Sequence, residues 1–222
     1  ILNINMKDQE FAAKFYMKVE WVDSRLMFLN LQPDPERNLV GAYDVKHLWL
    51  PSIIFFNTED NDLLLADDKS FLNILPINNT STEERFNMTE NGKHYKLRLS
   101  RYYSLKFICQ FNLVWYPFDT QECNIDIILG RNDHLFAKLI SREIIYDGRK
   151  DLSADFIKTQ FIVKRIKSYH LSIRSTPGVR IQFTLNRRLD NILATKFFPT
   201  LLLNIIGHAV KYLDNQYFES II

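Results

Sequence analysis

Two sulfurs are the first reactive pair in this chain: Cys109 and Cys123 are its only cysteines, and thirteen residues lie between them. Bonded to each other, they would close a loop that removes roughly 3 kcal/mol of unfolded-state entropy. The same closure would hold Trp115, Tyr116, Pro117 and Phe118 together at one tip as an apolar knob. Two free buried thiols in a reducing compartment are the alternative that the count alone leaves open. A second feature bears on the compartment. Asn78, Asn79 and Asn87 each open an N-glycosylation sequon within a short polar stretch, which favours an extracellular address.

Other chemistries are thinly represented. Glu59, Asp60, Asp62, Asp67 and Asp68 form an acidic run that reads as a solvated loop, with weak Ca²⁺ binding through carboxylate oxygens as its competitor. The five histidines are scattered, and no G-x-S-x-G, H-E-x-x-H, C-x-x-C or phosphate-cradling glycine run is present, so no catalytic residue, metal site or cofactor is assigned and an enzyme is not expected. Twenty-eight basic against 26 acidic residues leave a formal charge of +2, and no basic-aromatic motif occurs, so nucleic acid is not an expected partner.

The elements that must position these residues follow from hydrophobic periodicity. With 46% apolar and 14% aromatic residues, 222 residues can bury a substantial core. Phe11, Ala13, Phe15, Met17, Val19 and Trp21 alternate with polar neighbours, which predicts a half-buried strand running from Phe11 to Leu31. Strands are likewise predicted from Tyr95 to Cys109, from Ile125 to Leu129, and near 138–146, 158–172 and 179–188. Asn91-Gly92 predicts a hairpin turn with φ > 0, and Ser175-Thr176-Pro177-Gly178 predicts the last hairpin. Lys164, Arg165, Lys167, Arg174, Arg180, Arg187 and Arg188 make that hairpin basic; a solvated strand face and an anion-binding surface both fit. Helical periodicity is nearly absent before Ile192, so the default architecture is an all-β sandwich. Ile192 to Leu213 changes character: it is long and apolar enough to cross a bilayer, while Lys196, Asn204, His208 and Lys211 suit a helix buried in a soluble core equally well.

Several stretches together carry a family resemblance. The thirteen-residue cysteine spacing with Tyr116-Pro117-Phe118-Asp119 at its centre, then Gln121, resembles the signature loop of the Cys-loop pentameric ligand-gated ion channels. Trp21, Asp23, Arg25 and Leu26 are similar to that family's W-x-D-x-R-L strand. Trp49, Pro51, Phe56 and Asn57 resemble its W-x-P-D-x-x-F/Y-x-N segment, with Ser52 standing where the family usually has an Asp that braces the neighbouring backbone. Phe183, Leu185 and Arg187, with Pro199 twelve residues later, look like the end of an extracellular domain entering a first transmembrane helix. The match covers essentially the whole chain and is closest in feel to invertebrate members.

The resemblance implies a mainly β fold, a ten-strand-type antiparallel sandwich over residues 1–190, extracellular and ligand-binding. Residues 191–222 would form the first transmembrane helix and the start of the link to the pore helix, in the plasma membrane. An amino-terminal segment and three later helices would complete the subunit. It further implies a Cys109–Cys123 disulfide, a homo- or heteropentamer of like subunits, a small-molecule agonist between subunits, and contact with membrane lipid through the helix, where Asn204 and His208 would face neighbouring helices. Coupling to the pore would pass through Tyr116, Pro117, Phe118 and Asp119, with Arg187 pairing a carboxylate near that tip. Tyr116-Pro117 is a candidate cis peptide. A soluble, secreted pentamer of the same fold is the alternative.

At the agonist site the chain departs from the family. Phe56 falls on the first aromatic, Tyr16 on the complementary-face aromatic five residues before Trp21, Lys18 one alternation further, and Arg98, Ser100 and Tyr102 on the opposite strand of that face. Gly130 or Arg131 occupies the position that usually bears an aromatic after Cys123, and the 175–178 hairpin offers Thr176 but no ring. A cation needs ring faces around it, so acetylcholine and serotonin are expected to bind poorly. Arg98, Lys18 and Arg131 favour a carboxylate-bearing ligand; an apolar or amphipathic molecule, or no ligand, also fits.

Overall fold

The computed structural model describes residues 3–58, 70–77, 89–130, 132–145, 160–173 and 176–211. The sequons at Asn78, Asn79 and Asn87, the acidic residues 59–68 and Arg131 lie outside them. Ten strands are described: β1 (Asn3–Asn5), β2 (Glu10–Trp21), β3 (Met27–Leu29), β4 (Ile53–Phe55), β5 (Phe71–Pro76), β6 (Thr89–Asn91), β7 (Tyr95–Ile108), β8 (Thr120–Leu129), β9 (Phe161–Ile173) and β10 (Thr176–Arg187). They form a four-stranded sheet in the order β1-β2-β7-β5, a second in the order β4-β8-β10-β9, and the small pair β3-β6. The protein is thus a mainly antiparallel β structure followed by one apolar helix, the class that the alternation and the family resemblance imply.

Contacts divide the chain into two compact units. The first comprises Ile1–Ile108, Ile125–Ile140 and His170–Val179; the second comprises Cys109–Asn124, Ser141–Tyr169 and Arg180–Ile222. In the first, β2 and β7 pair along their full length from Glu10↔Ile108 to Trp21↔Leu97. Period-2 patterning aims Phe11 and Phe15 of β2 inward against Tyr103 and Phe107 of β7. Phe11 stacks on Phe107 at 5.4 Å and Phe15 on Tyr103 at 5.5 Å, and Phe55 of β4 meets Tyr103 edge-on at 5.0 Å. Such ring pairs contribute about 0.5–1.5 kcal/mol each beyond the area they bury. Asn57 joins the strands: its Oδ1 accepts from Asp126 N at 2.9 Å and its backbone carbonyl accepts from Ile108 N at 2.9 Å.

Four local expectations need correction. The long first strand stops at Trp21 rather than Leu31, because the Asp23 carboxylate accepts from Arg25 N and the Asp23 carbonyl accepts from Leu26 N, which turns the chain before β3. Asn91-Gly92 is not a φ > 0 hairpin: no glycine among the described residues has positive φ, and Asn91 instead caps a 3₁₀ turn over Gly92–His94 through Lys93 N. Glycine is needed at 92 for closeness, since a Cβ there would clash with the Asp23 carbonyl oxygen and lie 2.9 Å from that of Leu26. Residues 138–145 form no strand; Ile140 and Ile145 are exposed, and among the described residues no strand pairs with this segment. Finally, Thr176, Pro177 and Gly178 are the first residues of β10 and not part of the turn.

In the second unit, Arg187 at the end of β10 leads into a helical run that begins at Leu189. A short helix α1 (Ala42–Val45) precedes it in the chain, so this run is α2 (Leu189–Ile192), a π-helical turn over Leu193–Phe197, and α3 (Phe198–Val210). The π turn sits just before Pro199, whose missing N–H and ring bulk disfavour a regular i→i−4 ladder there. Leu193–Val210 is long and apolar enough to cross a membrane, with a mean hydropathy of 1.3. Thr200 Oγ1 donates to the Lys196 carbonyl and Asn204 Nδ2 to that of Thr200, so these polar groups are satisfied within the helix.

Candidate functional site

The cysteine loop is closed by a Cys109–Cys123 disulfide, with the two Cα atoms 5.2 Å apart. Its interior is held by Gln121, which is 2% exposed. The Gln121 amide accepts from Asn112 N at 2.8 Å and donates to the Asn112 carbonyl at 2.7 Å and to Asp119 Oδ2. Tyr116-Pro117 is cis. The residues of the loop centre separate by exposure: Val114 and Trp115 are each 77% exposed and Phe118 67%, whereas Pro117 and Asp119 are buried. The apolar knob is therefore Val114, Trp115 and Phe118, and Asp119 belongs to its base.

Asp119 meets Arg187 there. Arg187 Nε and Nη2 donate to the two carboxylate oxygens of Asp119, at 2.5 and 2.8 Å, and Nη1 donates to Gln160 Oε1 at 3.3 Å. The guanidinium plane lies 4.8 Å from the Tyr116 ring and 4.4 Å from the Phe161 ring. Both charged side chains are nearly inaccessible, at 1% and 2%. Burial by itself raises the Asp119 carboxyl, but the hydrogen bonds from Arg187 and Gln121 and the Arg187 charge outweigh it and hold the group below the usual carboxylate range. A fork that satisfies both oxygens and sits between two rings is a geometry that lysine cannot copy. Gln160 and Phe161 were not legible as partners, since only the fold brings a segment so distant in the chain beside Arg187.

A second constellation lies on the β2–β7 pair in the first unit. The register sets Tyr16 opposite Tyr102, Lys18 opposite Ser100 and Glu20 opposite Arg98, so five of the sequence-assigned residues share one face. The Tyr16 and Tyr102 rings are 4.4 Å apart, and the Lys18 ammonium lies 5.5 Å from the Tyr16 ring. Arg98 is engaged: it donates to Glu20 at 2.7 Å and lies 3.6 Å from Glu36, while Lys96 takes the other Glu20 oxygen at 2.8 Å. Burial pushes the Glu20 carboxyl up, and the hydrogen bonds and charges of Lys96 and Arg98 more than offset this and lower it. Among the described residues Lys18 has no acidic partner. Ser100 is 3% exposed, with Phe71 of β5 paired across from it, so its hydroxyl is covered in this conformation.

The remaining assigned positions lie elsewhere. Phe56 follows β4, is 46% exposed, and donates its backbone N–H to the Asp126 carbonyl. Thr176 is half-buried at the start of β10. Missed by the sequence reading is Asp133, whose buried Oδ2 accepts from Ser52 N at 2.8 Å.

Comparison with known proteins places this geometry in context. The family model for the neurotransmitter-gated ion-channel ligand binding domain matches residues 1–189. The chain is 23% identical over 225 residues to the glutamate-gated chloride channel subunit beta of Haemonchus contortus, covering 95% of this chain and 46% of that one. It is 24% identical over 223 residues to the human gamma-aminobutyric acid receptor subunit rho-1, covering 96% and 42%. A gamma-aminobutyric acid receptor subunit beta of Caenorhabditis elegans is 28% identical over 127 residues, covering 56% and 20%. The chain spans less than half the length of the relatives it matches. Disulfide loop, paired sheets and matched segment agree: the chain belongs to the neurotransmitter-gated ion-channel ligand-binding-domain family.

Proposed function

We propose that this chain is part of a subunit of a pentameric plasma-membrane channel, gated by a small carboxylate-bearing molecule bound between neighbouring subunits. Residues 1–190 form its extracellular, ligand-binding sandwich, and 191–222 its first transmembrane helix with the start of the link to the pore helix. The observation that carries the reading is the cross-strand set of Tyr16, Lys18, Ser100 and Tyr102: one cation without an acidic partner among the described residues, over the Tyr16 ring, which itself packs on Tyr102. Arg98 joins the assignment as a structural ion pair with Glu20 instead of a ligand contact. Phe56, Arg131 and Thr176 are assigned to the opposite side of the interface, and the sequons Asn78, Asn79 and Asn87 to glycosylation. Relatives named for glutamate and for gamma-aminobutyric acid are consistent with a carboxylate ligand.

Gating follows from differential affinity: an agonist that prefers one arrangement of neighbouring sandwiches shifts a closed–open equilibrium. The Cys109–Cys123 loop transmits that shift, with Phe118 meeting the membrane domain, Tyr116 and the buried Pro117 shaping the tip behind it, and Asp119–Arg187 fixing the loop to the strand that enters the helix. A soluble secreted pentamer is not favoured, given the exposed apolar run Leu193–Val210. The test is current from the full-length protein under glutamate, gamma-aminobutyric acid and acetylcholine. Activation by a carboxylate, with a half-maximal concentration raised about tenfold or more by Lys18→Ala, as befits loss of a charge-assisted contact, is the expected result. Micromolar activation by acetylcholine with both carboxylates silent would end the proposal.

A further inference from the structure

We propose that Asp133 is a positioning residue: its carboxylate holds the 132–137 loop on the segment that enters β4 by accepting from the Ser52 N–H. Asp133 is 8% exposed, and its Oδ2 accepts from Ser52 N at 2.8 Å. The Ser52 carbonyl in turn accepts from Gly130 N at 2.6 Å, so both backbone polar groups of Ser52 are taken by the loop. The carboxylate is rigidly mounted. Asp133 N donates to the Gly130 carbonyl, and the Asp133 carbonyl accepts from Phe136 N at 3.2 Å and Ala137 N at 2.9 Å, closing a single helical turn around it. Phe136 then lies edge-on to Trp49 at 5.6 Å, and Trp49 edge-on to Trp21 at 6.0 Å.

A Cβ on Gly130 would lie 2.7 Å from Ser52 Oγ, so the side chain at 52 already abuts the loop backbone. What the contact needs is a buried acceptor at 133 facing the Ser52 N–H. An amide side chain at 133 should then serve nearly as well as the carboxylate, because the Ser52 N–H needs an oxygen and not a charge.

The test is hydrogen exchange of the purified full-length protein, read over the segments 48–56 and 130–137. D133A is expected to speed exchange in both by about tenfold, the worth of one buried hydrogen bond. D133N should stay within about twofold of the wild-type rate. D133N exchanging as fast as D133A overturns the proposal. Should D133A fail to accumulate, D133N carries the decision: protection at both segments upholds it, and failure to accumulate or loss of protection overturns it. No agonist is present, so the outcome stands apart from the carboxylate-ligand reading.

Discussion

Two clusters of charge in this protein use the same functional groups to opposite ends. At Asp119–Arg187 both side chains are almost fully removed from solvent, a neutral amide fills the remaining valence, and two aromatic rings enclose the guanidinium. At Glu20–Lys96–Arg98 the partners keep roughly a quarter of their side-chain surface, and Lys18 two residues along has no acidic partner among the described residues. A buried pair makes each charge dependent on the other, since losing one strands its partner in a low-dielectric site. A wet pair contributes little to folding and leaves charge available to a ligand.

Arg187→Ala is expected to be the most damaging change, lowering stability by about 3–5 kcal/mol because Asp119 is left buried and unpaired. Thermal unfolding of the detergent-solubilised full-length protein, followed by tryptophan fluorescence, checks this; a loss below about 1 kcal/mol would erase the contrast. Opening the loop by Cys109→Ser comes next at roughly 3 kcal/mol from chain entropy, and reducing agent should lower the wild-type midpoint without moving that of the variant.

Acid discriminates between the clusters. Asp119 is held below the ordinary carboxyl value of about 3.9, so its contribution is complete above that pH and disappears as pH falls through the lower folded value. Unfolding midpoints should therefore drop below about pH 4, and Asp119→Asn should flatten that limb. Glu20 titrates with the same sign, but its partners are partly exposed, so Glu20→Gln should change the acid limb less. The smallest effect is expected for Arg98→Ala, within about 1 kcal/mol by the same unfolding measurement; a larger cost would make the wet network a structural element like the dry one.

How far the chain was legible depended on the range of the interaction. Alternation along Phe11–Trp21 and Tyr95–Ile108 reports the sheet faces directly, because a strand's side chains divide between two faces with period 2. That pattern also put Tyr16 and Lys18 on one face, while the family resemblance, not the alternation, set Arg98 opposite them. It failed at 138–145, where apolar residues are plentiful but no strand among the described residues pairs with them, and at Asn91-Gly92, where a glycine demanded by close backbone approach looked like one demanded by a turn.

The sequence by itself determined the strand faces, the apolar helix and the identity of the two sulfurs, because each rests on residue type and short-range spacing. Only tertiary structure decided that Arg98 is occupied by Glu20, that Arg187 lies between Tyr116 and Phe161, and that Asp133 answers for Ser52. Those outcomes depend on which distant segments become neighbours, and a hydrogen bond's reach of about 3 Å leaves no trace in the linear order of the residues it joins.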